Sequence, residues 1–381
     1  MNVTVKAKQL SAALASVGKS VATRPTLPVL SHILLQADQD SQTLVLAGTD
    51  LEQFVVRRVI CDVQENGSLT VPARLLTDLV KTFQESETVT LTVSGETLKV
   101  QCGKSEADVR GIDANEYPML PAVMTGGEMV GRFSPDSLAV RLSQVTFAAA
   151  SDESRPILTG VYVQAVEGVL SFVTADGFRL AWRHDSTELA DGTFVMPGKA
   201  ADILVKLLAE QVANGHTEDV SLWMDANQRA VCWRLYDCDM TTQLLEGTFV
   251  NYKQIVPNKW ATRLTVDKRE LERQLRTVST FKVQNVHLEM MALDPGAPAS
   301  GKLSITAQDP EAGKVGGEMW CDMVGDVLTI AFDAKFLSDA VRACATDKIA
   351  LEFTDAGRPG VVRPVDSDNY LCVIMPMHLR G

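Results

Sequence analysis

The chain has 381 residues, 46% of them hydrophobic and 22% charged, with a formal net charge of −12. That length exceeds one ordinary core and calls for two or three domains of a soluble globular protein. The acidic sum excludes a protein that coats nucleic acid with its whole surface, so any contact with DNA needs a locally basic face. Seven cysteines, an odd number without a C-x-x-C pair, read as the reduced thiols of a cytoplasmic protein. Residues 1–10 carry no apolar stretch of a signal peptide, and no apolar run reaches the roughly 18 residues of a membrane span.

In chain order, the pattern predicts a strand at 3–5 and a helix over 8–21. Strands follow at 33–36, 43–49 and 54–59, then a second helix over 73–83. A hairpin at 89–93 and 98–101 turns on Ser94-Gly95-Glu96. Glu116-Tyr117-Pro118-Met119 closes this stretch, and a linker at 121–128 holds Gly126-Gly127, which breaks regular structure. Ser134 caps a helix with Pro135 at its first position. Strands at 161–164, 170–174 and 180–183 lead to a helix over 199–210 and a hairpin at 220–224 and 230–235. Asn251-Tyr252 and Ile255-Val256-Pro257 close the second stretch. Asp267 caps a helix through 278, and another helix covers 334–343. Strands at 350–353 and 361–363 precede the ending at 370–379.

Three of these helices share one apolar ladder: Leu10, Leu14, Val17; Leu138, Leu142, Val145; Leu271, Leu275, Val278. The spacing i, i+4, i+7 is one buried helix face. A second helix type recurs half a repeat later. It opens with Arg74, Lys199 and Lys335 and carries Lys81, Lys206 and Arg342 seven residues on, so each basic pair shares a face. The chain therefore reads as α+β, a threefold repeat at 1–126, 127–258 and 259–381, with six homologous helices on one side.

Several stretches carry a family resemblance: Arg24-Pro25-Thr26-Leu27-Pro28-Val29-Leu30, Gly48-Thr49-Asp50-Leu51-Glu52 and Val71-Pro72-Ala73-Arg74 in the first repeat. Arg155-Pro156-Ile157-Leu158-Thr159-Gly160-Val161, Asp176-Gly177-Phe178-Arg179-Leu180-Ala181 and Val373-Ile374-Met375-Pro376-Met377 follow. In order and spacing the chain resembles the bacterial DNA polymerase III beta subunit, the beta sliding clamp family, over essentially its full length. The resemblance implies a DNA clamp fold of three similar domains. It implies two chains closing head to tail into a ring, helices lining the hole and sheets outside. It implies a processivity factor with no catalytic activity and no cofactor. The partners it implies are double-stranded DNA, the replicative polymerase, a clamp loader, and other polymerases and repair proteins.

A sliding ring must attract phosphates without reading bases. The candidate cations are Arg74, Lys81, Lys199, Lys206, Lys335 and Arg342, with Arg24 in the first loop and Arg269, Arg273, Arg276 and Lys282 in the third repeat. The plainer reading is that Asp78, Asp202 and Asp339, three or four residues from their basic neighbours, form ion pairs on a solvated face. Each helix would still keep one surplus positive charge.

In the resembled family one pocket per chain receives short peptide tails. Carried over by position it comprises Leu158, Ala175, Gly177, Phe178, Arg179, Leu180, Pro257, Val373, Met375, Pro376 and Met377. Leu, Val, Pro and Met make an apolar concavity that suits varied partners, and Arg179 is expected to cover an apolar residue or hold a peptide carbonyl. Phe178 stands where the family usually has His, and His378 where Arg is common. Arg380-Gly381 extends past the usual final Leu. The plainer reading makes residues 373–377 a buried closing strand.

For ring closure the resemblance points to Lys104, Glu106 and Asp108 on a first-domain edge, facing Glu311 and Lys314 of the other chain, with Glu106 opposite Lys314. Rival readings are an enzyme, a clamp paralogue with altered partners, and a monomeric scaffold that never closes. An enzyme lacks its parts here: no P-loop, no G-x-G-x-x-G after a strand, no H-E-x-x-H and no G-x-S-x-G. Asp50, Asp176 and Asp309 end strand-like runs and read as turn residues.

Overall fold

The computed structural model describes residues 1–281, 284–292, 300–309 and 311–377. Lys282, His378 and the last residues, all named above, lie outside the described residues. Seven α-helices occur among the described residues: α1 Ala7–Val17, α2 Ala73–Val80, α3 Val123–Gly126, α4 Pro135–Ser143, α5 Gly198–Ala213, α6 Lys268–Ser279 and α7 Ala334–Ala343. The apolar ladder is buried in all three repeats, since every one of its nine residues is at most 3% exposed. Burying each Leu stabilises by about 1.5–3 kcal/mol, so these helices are held by packing more than by propensity.

The helix ends differ from the pattern for local reasons. α1 stops at Val17, short of residue 21, because Gly18 caps it and the Ser20 hydroxyl folds back onto the Val17 carbonyl at 2.9 Å. α2 stops at Val80, and Thr82 turns the chain by donating to the Leu79 carbonyl at 2.7 Å. Val145 falls beyond α4 yet stays buried. Asp267 caps α6 as expected, accepting from the Glu270 amide at 2.9 Å. The linker is more regular than Gly126-Gly127 suggests. Buried Val123 anchors α3 inside it, and a strand begins at Glu128.

Among the described residues the strands form three sheets, all of them antiparallel. One runs in the order Asp62–Glu65, Asn2–Lys6, Thr88–Ser94, Thr97–Cys102, Ser105–Arg110. A second joins the first and second repeats: Glu128–Phe133, Val220–Met224, Ala230–Arg234, Cys238–Gln243, Gln53–Ile60, Thr43–Thr49, His32–Asp38, Gly67–Pro72. Its joint pairs Cys238 with Arg57 and Thr242 with Gln53. The third joins the second and third repeats and has twelve strands. Its first half is Gly192–Pro197, Gly160–Val166, Val169–Ala175, Arg179–Ser186, Tyr370–Ile374, Gly360–Pro364. Lys348–Phe353, Thr262–Asp267, Gly313–Gly325, Gly301–Asp309, Asn285–Ala292, Thr329–Asp333 complete it. Its joint pairs Arg179 with Ile374 and Arg183 with Tyr370.

The chain accordingly forms two compact units, Met1–Ala139 with Lys199–Leu244 and Val140–Gly198 with Leu245–Gly381. The cut falls inside the second repeat, because sheets that cross repeat boundaries tie each half of that repeat to a different neighbour.

The three aspartates are turn residues. Asp50 Oδ1 accepts from the amides of Glu52 and Gln53, Asp176 Oδ1 from Phe178 and Arg179, and Asp309 Oδ1 from Glu311 and Ala312. The second turn needs Gly177, at φ +92°, where an L side chain is strained.

The two faces of α6 predict opposite mutational outcomes. Leu275→Ala is expected to cost about 2–5 kcal/mol, and Arg276→Ala on the exposed face less than about 0.5 kcal/mol. Urea unfolding followed by circular dichroism measures both. Equal losses would mean that the ladder does not hold the helix.

Candidate functional site

All ten described candidate cations, Arg24, Arg74, Lys81, Lys199, Lys206, Arg269, Arg273, Arg276, Lys335 and Arg342, are exposed. For the three on α6 the placement follows from the ladder. In α6, Leu271, Leu275 and Val278 take the buried face, so Arg269, Arg273 and Arg276, at i, i+4 and i+7, form a stripe on the solvent face.

Ion pairing engages part of this set. Arg74 meets Asp78 at 3.6 Å, Arg342 meets Asp339 at 3.7 Å, Arg269 meets Asp347 at 3.7 Å and Arg273 meets Glu270 at 2.5 Å. Lys199 departs from the expected pattern and reaches the turn residue Asp50. Pairs with both partners exposed, such as Arg74 with Asp78 and Arg269 with Asp347, are worth little, about 0–1 kcal/mol. Their cations stay available to a phosphate that approaches from solvent.

The carried-over pocket residues separate into a floor and a rim. Leu158, Ala175, Leu180 and Val373 belong to one buried cluster with Phe249, Tyr252, Val361 and Leu371. Gly177 is exposed, Phe178 is 63% and Met375 is 42% exposed, and Pro257, Pro376 and Met377 are half-buried. The Met375 amide donates to the Phe178 carbonyl at 2.8 Å, which sets the two exposed apolar residues together just outside the paired strands Arg179–Ser186 and Tyr370–Ile374. The closing-strand reading of 373–377 holds only at Val373 and Ile374, the end of the buried strand Tyr370–Ile374, and fails at exposed Met375 and half-buried Pro376 and Met377.

Of the two roles expected for Arg179, it lies against apolar rings, and it also holds two carboxylates. Its side chain is buried, and it donates Nε to Asp176 at 3.0 Å, Nη1 to Asp339 at 3.0 Å and Nη2 to the Phe147 carbonyl at 2.6 Å. Its guanidinium lies 4.3 Å from the Phe336 ring centroid and 5.3 Å from that of Phe147. With each of its three nitrogens engaged, its side chain buried and two rings against it, it braces the turn beneath Phe178.

The floor also includes residues that the sequence pattern did not single out. Tyr162 stacks on Phe249 at 4.9 Å, and the Tyr252 hydroxyl donates to Gln164 at 2.9 Å. Val250 and Ile255, flanking Tyr252, are exposed apolar residues. The signal lay in two aromatics three residues apart in a segment read only as a closing loop.

The predicted ring edges are strand edges. Ser105–Arg110, which carries Glu106 and Asp108, is the outermost strand of its sheet, and Lys104 sits in the turn before it. Glu311 lies in the turn between Gly301–Asp309 and Gly313–Gly325, and Lys314 begins the latter strand. That long strand pairs over 313–321 on one side, while its other side pairs only over 322–325, leaving a free edge among the described residues. Glu106 is engaged within its own sheet, 2.6 Å from Lys99 and 3.0 Å from Gln101, and these partners hold its carboxyl below the usual range.

Removing the brace tests this geometry. Arg179→Ala takes the shared guanidinium from Asp176 and Asp339 and is expected to cost roughly 3–5 kcal/mol. Arg179→Lys, a point charge without the planar fork, is expected to recover only part of it. Urea unfolding measures both, and a neutral Arg179→Ala would overturn the bracing role.

The likenesses agree with this geometry. Three family models match in succession: DNA polymerase III beta subunit N-terminal domain over 1–121, central domain over 132–251 and C-terminal domain over 253–378. Relatives along the full chain include a beta sliding clamp of Synechococcus elongatus, 27% identical with 100% of both chains covered. Another, from Halalkalibacterium halodurans, is 29% identical with 95% of both covered. Among solved structures, a Pseudomonas aeruginosa sliding clamp bound to griselimycin aligns at TM-score 0.87 and 27% identity, covering 100% of both chains. A Bacillus subtilis clamp with TM-score 0.88 and 24% identity, again over 100% of both chains, shares the fold. The fold is the DNA clamp fold, α+β with three repeated domains, whose known assembly is a ring closed by dimerisation. The chain belongs to the DNA polymerase III beta subunit family, the beta sliding clamps.

Proposed function

We propose that two copies of this chain close into a ring around duplex DNA and act as the processivity factor of a replicative polymerase. The observation that carries this is the three consecutive clamp domains, each with exposed cations on helices whose other face is buried. Each chain contributes three domains, divided near residues 126 and 258. Diffuse charge without base contacts lets the ring slide. The free edges at 105–110 and 313–321 suit closure by strand addition between chains, with Lys104, Glu106, Asp108, Glu311 and Lys314 at the joint. Pairing Glu106 with Lys314 requires Glu106 to release Lys99. Short apolar peptide tails from the replicative polymerase, the clamp loader, other polymerases and repair proteins dock on the Leu158, Leu180 and Val373 floor. The ring itself catalyses nothing, and it works in the cytoplasm on the nucleoid. No described helix is long and apolar enough to cross a membrane.

The first test loads the protein with a bacterial clamp loader and ATP onto a nicked circle and onto the same molecule made linear. Retention on the circle with loss from linear ends is expected. Equal retention would mean ordinary electrostatic binding and sinks the ring reading. The cations are tested by direct binding to linear duplex at varied salt. The Lys81→Gln, Lys206→Gln, Lys335→Gln triple variant should lower the log–log salt slope by about 0.9 for each phosphate that is no longer neutralised. An unchanged slope would remove these helices from the DNA path.

A further inference from the structure

One cross-strand row leads from the pocket floor to a charged cleft. Residues in register on adjacent antiparallel strands share a sheet face. Ala175 pairs with Leu180, Leu180 with Val373, Val373 with Val361, Val361 with Glu352, and Glu352 with Arg263. The first half of this row is apolar and belongs to the floor cluster. The second half opens into a cleft of about 190 Å³ that Pro257 and Val361 share with the floor side.

The cleft is cationic in an acidic protein. Arg263, Arg363 and Lys259 line it against one carboxylate, the buried Glu352. Arg263 stands 3.5 Å and Arg363 3.3 Å from Glu352, and the more distant partner of Arg363 is exposed Asp368 at 3.7 Å. These are ion contacts without hydrogen-bond geometry. Arg363 Nε is buried with no hydrogen-bond partner. Trp260, 41% exposed, forms a flat wall with the Arg263 guanidinium 6.0 Å from its ring centroid. Two guanidiniums and an ammonium around one carboxylate leave a surplus of positive charge and unused N–H donors, which is the chemistry of a carboxylate receptor.

We infer that this cleft binds an acidic side chain of the same partner peptide whose apolar anchors occupy the adjoining floor. This inference rests on the peptide-docking reading above and adds the partner's specificity. Strands lie about 4.8 Å apart, so Val373 and Arg263, three strands apart, are separated by about 14 Å. An extended peptide advances about 3.3 Å per residue, which puts the acidic residue about four positions from the nearest anchor.

The test uses the full-length protein and fluorescein-labelled peptides with a Leu and Phe anchor pair. Each carries Glu or Gln four residues before or after the anchors, read by fluorescence anisotropy. The Glu peptide of one polarity is expected to bind about tenfold more tightly than its Gln twin. In Arg263→Gln, and in Lys259→Gln on the exposed loop where folding is not at stake, that preference should shrink while the Gln peptide binds as before. Glu and Gln twins that bind alike in both polarities would overturn the inference and leave the docking reading standing. So would variants that weaken both twins equally. If no peptide binds the unaltered protein, the docking reading falls and takes this inference with it.

Discussion

A helix that buries one stripe in a sheet has its other stripe assigned by default. Here the ladders of Leu and Val that start in α1, α4 and α6 are buried, as are Leu76 and Val80 of α2, Leu204 and Leu208 of α5 and Leu337 and Val341 of α7, and the exposed cations take the positions left over. Cationic faces repeated along the chain need no dedicated device for their display. They require only that Lys and Arg appear at positions the packing leaves open. An acidic protein can thereby present exposed cations on helices in each of its repeats.

The sheets that receive these helices are pinned by buried arginines used in parallel ways. In one unit Arg57, on the strand Gln53–Ile60, binds Asp237 at 2.9 Å and also Glu210 on α5, and it donates to Ser16 on α1 at 2.5 Å. In the other unit Arg183, at the matching position of Arg179–Ser186, binds Asp185 at 2.7 Å and Gln144 at 3.2 Å. Burial raises the Asp185 carboxyl, but the guanidiniums of Arg183 and Arg141 outweigh it and leave the group lowered. Arg179 is a further case, with Asp339 on α7 as its partner. Partly buried charges tolerate little misplacement, so these pairs define how helix and sheet register against one another.

What the sequence revealed follows from the range of each signal. The ladders were legible because their period is local, and the helix expected at 334–343 coincides with α7. The strand Ser105–Arg110 was legible only as an edge, since Ser-Glu-Ala-Asp-Val-Arg has little apolar alternation. The sheets across repeat boundaries left no trace, because Arg57 and Cys238 are paired by register and not by residue type. The anchoring of Arg179 was hidden for a similar reason: Asp339, a carboxylate that fixes it, lies 160 residues away. The pocket floor was legible through resemblance, but its depth was not, since burial of Leu158 and Leu180 depends on the cover supplied by Phe249 and Tyr252.

The joints at Gln53–Ile60 with Cys238–Gln243 and at Arg179–Ser186 with Tyr370–Ile374 are made largely of main-chain hydrogen bonds. Such a bond is blind to the side chain above it. Mutational drift can therefore rewrite most residues at these seams without unfastening them, provided that neither proline nor a shift of register intrudes. Relatives that share little more than a quarter of their residues along the whole chain can keep one architecture on these terms. Ancestry persists at the seams as hydrogen-bond geometry after the letters have changed.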